Sequence, residues 1–111
     1  MNPLRGQVYW VRFPDPVGRR PVCVVQNNVG NQFRDKTIVA TLSTVPPKRD
    51  YDFLVPLDAR VLGEASWVHC EEIFTLKQDR LMQKAGALAP AEVDRLNAAL
   101  AVSLGLPVQT R

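Results

Sequence analysis

The chain has 111 residues and a mass of 12.4 kDa, a length that suits one domain and excludes a large dinucleotide-binding fold. Its composition, 46% hydrophobic and 23% charged, is that of a globular protein and excludes a disordered tail or a coiled coil. The net charge of +3 and the pI of about 9.2 are mildly basic and favour an anionic partner. We therefore predict one domain over residues 1–111.

The basic excess belongs to the N-terminal half. Residues 1–49 hold eight Lys or Arg and two acidic residues, whereas residues 50–111 hold six Lys or Arg and nine acidic residues. A surface that faces an anion is therefore expected from the N-terminal half. No apolar run approaches the length of a bilayer span, and no signal peptide follows Met1. We expect a cytoplasmic protein without a membrane partner.

The two cysteines, Cys23 and Cys70, lie far apart in apolar runs. This spacing is typical of two buried thiols in a cytosolic protein and does not suit a zinc site. No metal-spaced acidic cluster and no glycine-rich phosphate loop is evident. We therefore predict neither a metal site nor a cofactor.

The first two-thirds of the chain predicts short strands, because β-branched and aromatic residues are concentrated between turn residues. The predicted strands are residues 7–13, 21–26, 37–43, 53–57 and 66–71. Residues 27–31 and 58–63 have the composition of turns. Five strands with tight connections favour a mainly β fold, a small closed barrel in preference to an open sheet.

Residues 91–104 have the period of a helix. Val93, Leu96, Leu100 and Leu104 fall on one stripe, which we expect to pack on the barrel. The preceding proline suits the first helical position, and the following glycine suits the end of the helix.

The single histidine lies in a run of possible catalytic residues. On a strand, His69 and Glu71 share a face, whereas Cys70 points to the other face and cannot form a nucleophilic dyad with His69. A neighbouring proton donor and acceptor are the minimum for general acid–base catalysis. On the residues alone, a structural polar pair on the wet face of a strand is the commoner alternative.

Two arginines immediately precede a strand. Arg19 and Arg20 stand before Pro21, which stiffens the backbone, and a guanidinium fork matches phosphate oxygens. The alternative is a pair of solvated loop charges. The basic residues on neighbouring loops that would extend a rim for a polyanion are Arg34, Lys36, Lys48 and Arg49. The residues alone thus indicate a basic small barrel that acts on a polyanion.

Six segments in a fixed order carry a more specific signal. They are RGQVYW (5–10), RRPVCVVQN (19–27), VGN (29–31), IVATLS (38–43), WVHCEEIFTL (67–76) and SLGL (103–106). Each segment is weak alone, but the series spans nearly the whole chain. In this order and spacing it resembles the MazF/PemK/Kid family of toxin endoribonucleases (mRNA interferases), which share a barrel with the CcdB gyrase poisons.

The resemblance implies an SH3-like barrel of about five to seven strands with a C-terminal α-helix. It also implies a homodimer and an acidic, MazE-like antitoxin as partner. The implied reaction is metal-independent, sequence-specific cleavage of single-stranded RNA, in which the ribose 2′-OH attacks the adjacent phosphorus. The products are a 2′,3′-cyclic phosphate and a 5′-OH. Because RNA supplies the nucleophile, the protein need supply only a base, an acid and charge stabilisation.

Catalytic positions carry over from the resemblance one at a time. Arg20 falls on the family's catalytic arginine, and we assign it the negative charge of the phosphorane, because arginine is a poor proton donor. Ser43 falls where the family usually has a threonine, and its hydroxyl can bond a phosphate oxygen. Glu71 falls on a position that some members use as a base. His69 falls where certain members have arginine, so it can donate a proton or bind phosphate.

The remaining positions concern substrate binding. Residues expected to bind the RNA are Arg19, Asn27, Arg34, Lys36, Lys48 and Arg49. Phe74 stands where many members have arginine, and the first loop is shorter than the family's usual form.

Two other classes of function remain open from the sequence. A CcdB-like topoisomerase (gyrase) poison would keep the barrel without the ribonuclease activity, but Arg20 and Ser43 suit a phosphate better. A non-enzymatic SH3-like binding module would need an aromatic-lined groove for proline-rich peptides. The chain has only eight aromatic residues, several of them predicted in the core.

Overall fold

The computed structural model describes residues 2–107. Its strands are β1 (Gln7–Phe13), β2 (Gly18–Val24), β3 (Lys36–Ser43), β4 (Leu54–Leu57), β5 (Ser66–Lys77) and β6 (Lys84–Ala87). Its helices are α1 (Asn28–Phe33), α2 (Ala59–Leu62) and α3 (Pro90–Leu104), and a 3₁₀ turn covers Gln78–Arg80.

The six strands form one antiparallel sheet in the order β4-β5-β3-β2-β1-β6. The sheet curls into a half-barrel, so the predicted mainly β, SH3-like architecture with a C-terminal helix is confirmed. The predicted closure is incomplete, since no ladder joins β4 to β6 within residues 2–107. Helix α2 packs on β6 instead. There Gly86 has no side chain, and a Cβ at this position would lie 3.3 Å from a methyl carbon of Val61.

The main core lies between the sheet and α3. Leu96 and Ala99 of α3 are fully buried in a cluster with the strand residues Val8, Val55 and Val68. Pro90 begins the helix and Gly105 ends it at φ +69°, as the sequence predicts. Leu104 is 54% exposed, so the prediction that it packs on the barrel is wrong. The packed part of the stripe ends one turn earlier, at Leu100, which is partly buried against the main core.

A second, smaller hydrophobic core is formed by strand residues that do not belong to the main core. Its buried residues are Val11, Val22, Val24, Val39 and Leu76. The partly buried rings of Phe13 and Phe74 pack against it. Because buried side chains in a well-packed cluster are held in one rotamer, this second core gives the rings a firm support.

Two predicted turns contain short helices, and one strand was not predicted. Residues 27–31 contribute to α1, because the Asn27 side chain accepts the Gly30 backbone N–H at 2.7 Å and caps the helix. Residues 58–63 contain α2. Strand β6 has no β-branched residue and therefore no sequence signal. None of the helices in residues 2–107 has the length and apolarity needed to cross a bilayer.

Candidate functional site

Three strands bring Arg20, Ser43 and His69 to one end of the sheet. Val22 of β2 pairs with Thr41 of β3 at the end of their ladder, two residues after Arg20 and two residues before Ser43. Thr41 in turn pairs with His69 of β5. Paired residues of antiparallel strands project from the same face. Arg20, Ser43 and His69 all line one open cavity of about 800 Å³.

The two arginines of the cavity have different surroundings. The guanidinium of Arg19 lies 4.3 Å from the ring centre of Trp10, and its Nη2 donates to the side-chain oxygen of Gln83 at 3.5 Å. Arg20 Nη1 donates to the carbonyl of Arg19 at 2.9 Å. Within residues 2–107 the other N–H groups of Arg20 have no protein partner, so an exposed guanidinium is available for an anion.

An irregularity in β5 shapes the cavity next to His69. The neighbouring residues Ala40 and Thr41 of β3 pair with Ile73 and His69 of β5, so residues 70–72 are extra in the ladder. A bulge of this kind breaks the strict alternation of side chains and redirects them. Glu72 consequently lines the cavity, although a regular strand would turn it to the face opposite His69.

His69 and Glu71 form a hydrogen-bonded pair. Nδ1 of His69 lies 3.2 Å from Oε2 of Glu71, so an Nδ1–H donates to the carboxylate. Nε2 of His69 is buried and has no hydrogen-bond partner among residues 2–107. Of the two residues, His69 lines the cavity, whereas Glu71 lies beside it and is partly exposed. The arrangement can hold and transfer a proton.

The hydroxyl groups of Ser43 and Thr41 at the site make different hydrogen bonds. Oγ of Ser43 accepts the backbone N–H of Val45 at 3.0 Å, which leaves its own hydrogen free to donate. Oγ1 of Thr41 donates to Oε1 of Glu72 at 2.9 Å. Ser43 can therefore donate to a phosphate oxygen, while Thr41 fixes the orientation of a carboxylate.

One group of side chains has the donor set of a cation site. His69, Glu71 and Glu72 each offer a ligand atom, and these atoms lie within 4.8 Å of one another. An imidazole with two carboxylates suits a divalent transition metal. The bulge, which no sequence pattern indicates, brings these groups together, whereas the sequence predicts no metal site. Such clusters of exposed acidic groups are common without a metal.

Five residues predicted to bind substrate lie outside the cavity lining. Asn27 and Arg34 flank α1 and Lys36 begins β3, which places all three at the opposite end of β2 and β3 from Arg20 and Ser43. Lys48 and Arg49 are exposed in the loop after β3, whose first residues line the cavity. The sequence predicts only the basic and catalytic residues of the cavity. It does not predict the aromatic and acidic residues of the lining, which are Trp10, Phe13, Phe74, Glu64 and Glu72.

Both cysteines are buried and unpaired, as the sequence predicts. Burial raises the pKa of Cys23 to about 12, and burial together with the negative charge of Glu71 raises the pKa of Cys70 to about 11. Burial also raises the pKa of Tyr9. Both thiols are therefore protonated at neutral pH and unsuited to nucleophilic work.

The cavity is lined by an arginine with free N–H groups, a hydroxyl and an imidazole that is hydrogen-bonded to a carboxylate beside the cavity. These groups suit a phosphodiester. The sequence itself places this barrel in a family. Residues 4–104 match the family described as PemK-like, MazF-like toxin of type II toxin–antitoxin system, and the chain belongs to it.

Curated relatives match over almost their entire length. Endoribonuclease EndoA of Bacillus subtilis (strain 168) is 34% identical over 109 residues, which covers 92% of this chain and 94% of the relative. Endoribonuclease MazF4 of Mycobacterium tuberculosis (strain ATCC 25618 / H37Rv) is 34% identical over 108 residues, 95% of each chain.

Solved structures have the same fold. An endoribonuclease from a mycobacterial species, solved in complex with its cognate antitoxin, superposes with a TM-score of 0.84 at 32% identity and covers 96% of this chain and 99% of that one. The MazE–MazF complex of Deinococcus radiodurans (form II) superposes with a TM-score of 0.78 at 20% identity, covering 96% of this chain and 99% of the other. At that identity it supports the fold alone.

Proposed function

We propose that the chain is the toxin of a type II toxin–antitoxin system and a sequence-specific endoribonuclease that cleaves single-stranded mRNA without a metal ion. The observation that carries the proposal is the meeting of Arg20, Ser43 and His69 around one cavity. Membership of a toxin family supports it, as do the relatives described as endoribonucleases.

The chemistry follows from what each group can donate or accept. The 2′-oxygen attacks the neighbouring phosphorus while Glu71 takes the 2′-OH proton. The P–O5′ bond then breaks, and His69 gives a proton to the departing 5′-oxygen. The products are a 2′,3′-cyclic phosphate and a 5′-OH. His69 donates this proton from Nε2, because its Nδ1–H is bonded to Glu71. Exchange with solvent afterwards removes the proton from Glu71 and returns one to Nε2, which restores the starting state.

Arg20 and Ser43 act on the phosphate itself. In the transition state the non-bridging oxygens gain negative charge, which the free N–H groups of Arg20 and the hydroxyl hydrogen of Ser43 stabilise. Neither group has to lose a proton. Since the attacking hydroxyl is already part of the RNA, no metal-bound water is needed as a nucleophile.

The assembly proposed for the active toxin is a cytoplasmic homodimer of single-domain chains, residues 1–111, inhibited by an acidic antitoxin. An acidic segment would neutralise Arg19 and Arg20 and compete with RNA for the same cavity. The mycobacterial relative solved with its cognate antitoxin supports such a partner. Light scattering on the purified chain tests the dimer, since a monomer at micromolar concentration would contradict it.

The activity is tested with a long single-stranded RNA in excess EDTA, with the cut ends mapped by primer extension. We expect discrete cuts with 5′-OH ends, which Arg20→Ala abolishes. Arg95→Ala is the matched control, because Arg95 lies on α3 and outside the cavity lining. Loss of cutting in EDTA with recovery in Mn²⁺ or Zn²⁺ would contradict metal independence, and the group His69, Glu71 and Glu72 would then become the metal site.

A further inference from the structure

One wall of the cavity is aromatic and has no part in the phosphodiester chemistry. Phe13 and Phe74 both line the cavity, with ring centres 5.9 Å apart and planes inclined by 61°. The guanidinium of Arg80 lies 5.7 Å from the ring centre of Phe13. Proton transfer and charge stabilisation by Arg20, Ser43 and His69 need no aromatic side chain.

The rings are rigidly supported and still partly open. Both pack against the buried cluster that includes Val39 and Leu76, yet neither is fully buried. A cavity of about 800 Å³ is far larger than one phosphate group and has room for neighbouring parts of a nucleotide chain. A fixed aromatic face beside a phosphate site is a stacking surface for an unpaired base.

A carboxylate lies next to this surface. Glu72 precedes Phe74 by two residues on β5 and lines the same cavity. Thr41 Oγ1 donates to its Oε1, and no salt bridge to Glu72 is found among residues 2–107. Glu72 thus keeps acceptor capacity in a fixed orientation. A carboxylate accepts from an exocyclic amine, as acidic side chains do from the N4 amine of cytosine.

We infer that Phe74, supported by Phe13, and Glu72 form a nucleobase subsite that stacks one unpaired base of the RNA and selects a base with an amine on its Watson–Crick edge. The inference rests on the proposed endoribonuclease function and deepens it. Uracil lacks such an amine and offers the carboxylate only a ring N3–H that stands between two repelling carbonyl oxygens, so it is the disfavoured base. Phe74 and Glu72 are here specificity residues that do not touch the reacting atoms.

Binding is measured separately from cleavage to test this subsite. Fluorescent RNA oligonucleotides that span a mapped cut carry a 2′-O-methyl group at the scissile ribose, so that they bind but cannot react. Each flanking base is replaced in turn by cytosine, adenine, guanine, uracil or an abasic site. At one position, we expect an amine-bearing base to bind at least about fivefold more tightly than the abasic probe.

The variants assign that preference to residues. Phe74→Leu should weaken binding of the base-bearing probe at least about fivefold and leave the abasic probe unchanged, because only the former loses a stacking contact. Glu72→Gln should reduce the preference for an amine-bearing base over uracil. Phe33→Leu, the same change at a 73% exposed phenylalanine on α1, should alter neither measurement. Thermal unfolding shows whether each variant is folded. If Phe74→Leu does not fold, the test rests on Glu72→Gln, which changes an exposed side chain and should not disturb the fold.

The outcomes separate this subsite from the proposed function. If the wild-type chain neither binds nor cuts RNA, both fail. If the wild-type chain cuts RNA but a folded Phe74→Leu and Glu72→Gln keep its affinity and base preference, the subsite is wrong and the endoribonuclease function stands. A Phe74→Leu variant that weakens the abasic probe equally also overturns the subsite, because its effect would not pass through a base.

Discussion

Arg19 and Arg20 are neighbours in the sequence, but their side chains make different contacts in the structure. Both line the cavity, but Arg19 stacks on Trp10 and reaches Gln83, whereas the only side-chain partner of Arg20 among residues 2–107 is the carbonyl of Arg19. The sequence predicts a phosphate role for both, because the fork chemistry is identical. The contacts that distinguish them depend on β1 and on the loop before β6, which no local pattern shows.

The different surroundings predict different responses to the same substitution. Arg20→Lys removes the planar fork from the reacting phosphate, so kcat should fall by about 100-fold or more. Arg19→Lys weakens a stacking contact that is made with or without RNA, so kcat should change by less than about tenfold. Single-turnover cleavage of a mapped RNA measures both. Equal losses in the two variants would contradict the division of roles.

The buried thiols predict chemical inertness at neutral pH. Because burial raises the pKa of Cys23 to about 12 and of Cys70 to about 11, the reactive thiolate is scarce in the folded protein. Iodoacetamide at pH 8 should modify neither cysteine until denaturant is added. Rapid modification of either thiol in the native protein would contradict the burial.

The same thiols predict a loss of stability in alkali. In the unfolded chain they ionise near the ordinary thiol value of 9.0, whereas the folded chain keeps their protons. Stability is therefore complete below pH 9 and falls as the pH rises toward 11, by up to a few kcal/mol. Cys23→Ala should have a smaller slope in urea unfolding between pH 9 and pH 11. Part of the slope remains because burial also raises the pKa of Tyr9.

At the scale of elements, three of the five predicted strands match almost to the residue, whereas the predicted residues 21–26 and 66–71 correspond to β2 (Gly18–Val24) and the much longer β5 (Ser66–Lys77). The predicted residues 7–13, 37–43 and 53–57 match β1, β3 and β4 to within one residue at either end. Their β-branched residues fit a pleated, buried surface. Strand β6, with the sequence KAGA, is held by pairing with β1 and not by propensity, so it left no local signal. The short helices use the same Asn, Asp and Gly residues as turns, and only the hydrogen bonds distinguish the two.

The bulge in β5 limited prediction of the site. His69 and Glu71 were correctly predicted to lie close together, because residues two apart on a strand remain neighbours even where the strand is irregular. Glu72 was missed, since strict alternation turns it away from His69. The inserted residues 70–72 are visible only in the pairing with β3, which is a long-range property. The carboxyl-rich side of the cavity was for this reason absent from the sequence-based prediction.

Helix α3 offers a test of the corrected packing. Leu96 is fully buried, whereas Leu104 is 54% exposed, although both belong to the predicted stripe. Leu96→Ala should lower the free energy of unfolding by about 2–5 kcal/mol, because it leaves a cavity against the sheet. Leu104→Ala should change it by about 0.5 kcal/mol or less. Urea unfolding of both variants measures the difference, and similar costs would place Leu104 in an interface that a single chain does not contain.

At the scale of the whole molecule, charge is arranged by region. The basic N-terminal half supplies Arg19 and Arg20 to the cavity and Lys48 and Arg49 to the loop after β3, while the C-terminal half supplies the acidic lining residues Glu64 and Glu72. If the chain acts on RNA as proposed, attraction of the polyanion and selection among its bases are carried by different parts of the chain.

This arrangement predicts how salt acts on RNA binding. Between about 50 and 200 mM salt, the logarithm of the affinity for single-stranded RNA should fall linearly with the logarithm of the salt concentration. Lys48→Ala with Arg49→Ala should reduce that slope by about one if the two side chains together contact one or two phosphates. Fluorescence anisotropy on a non-cleavable RNA measures it. An affinity that is independent of salt would contradict an electrostatic contribution to binding.

The two outer strands of the half-barrel have a consequence for how the chain meets other proteins. β4 and β6 are only four residues long, β4 contains Pro56, which cannot donate a backbone hydrogen bond, and β6 begins with a lysine. Short strands with proline or lysine are the features by which open sheets resist edge-to-edge polymerisation. An incoming strand would find little backbone to extend. At these two strands, association with a second copy or with an inhibitor therefore depends on side chains and not on backbone pairing, and such contacts can be changed by mutation one residue at a time.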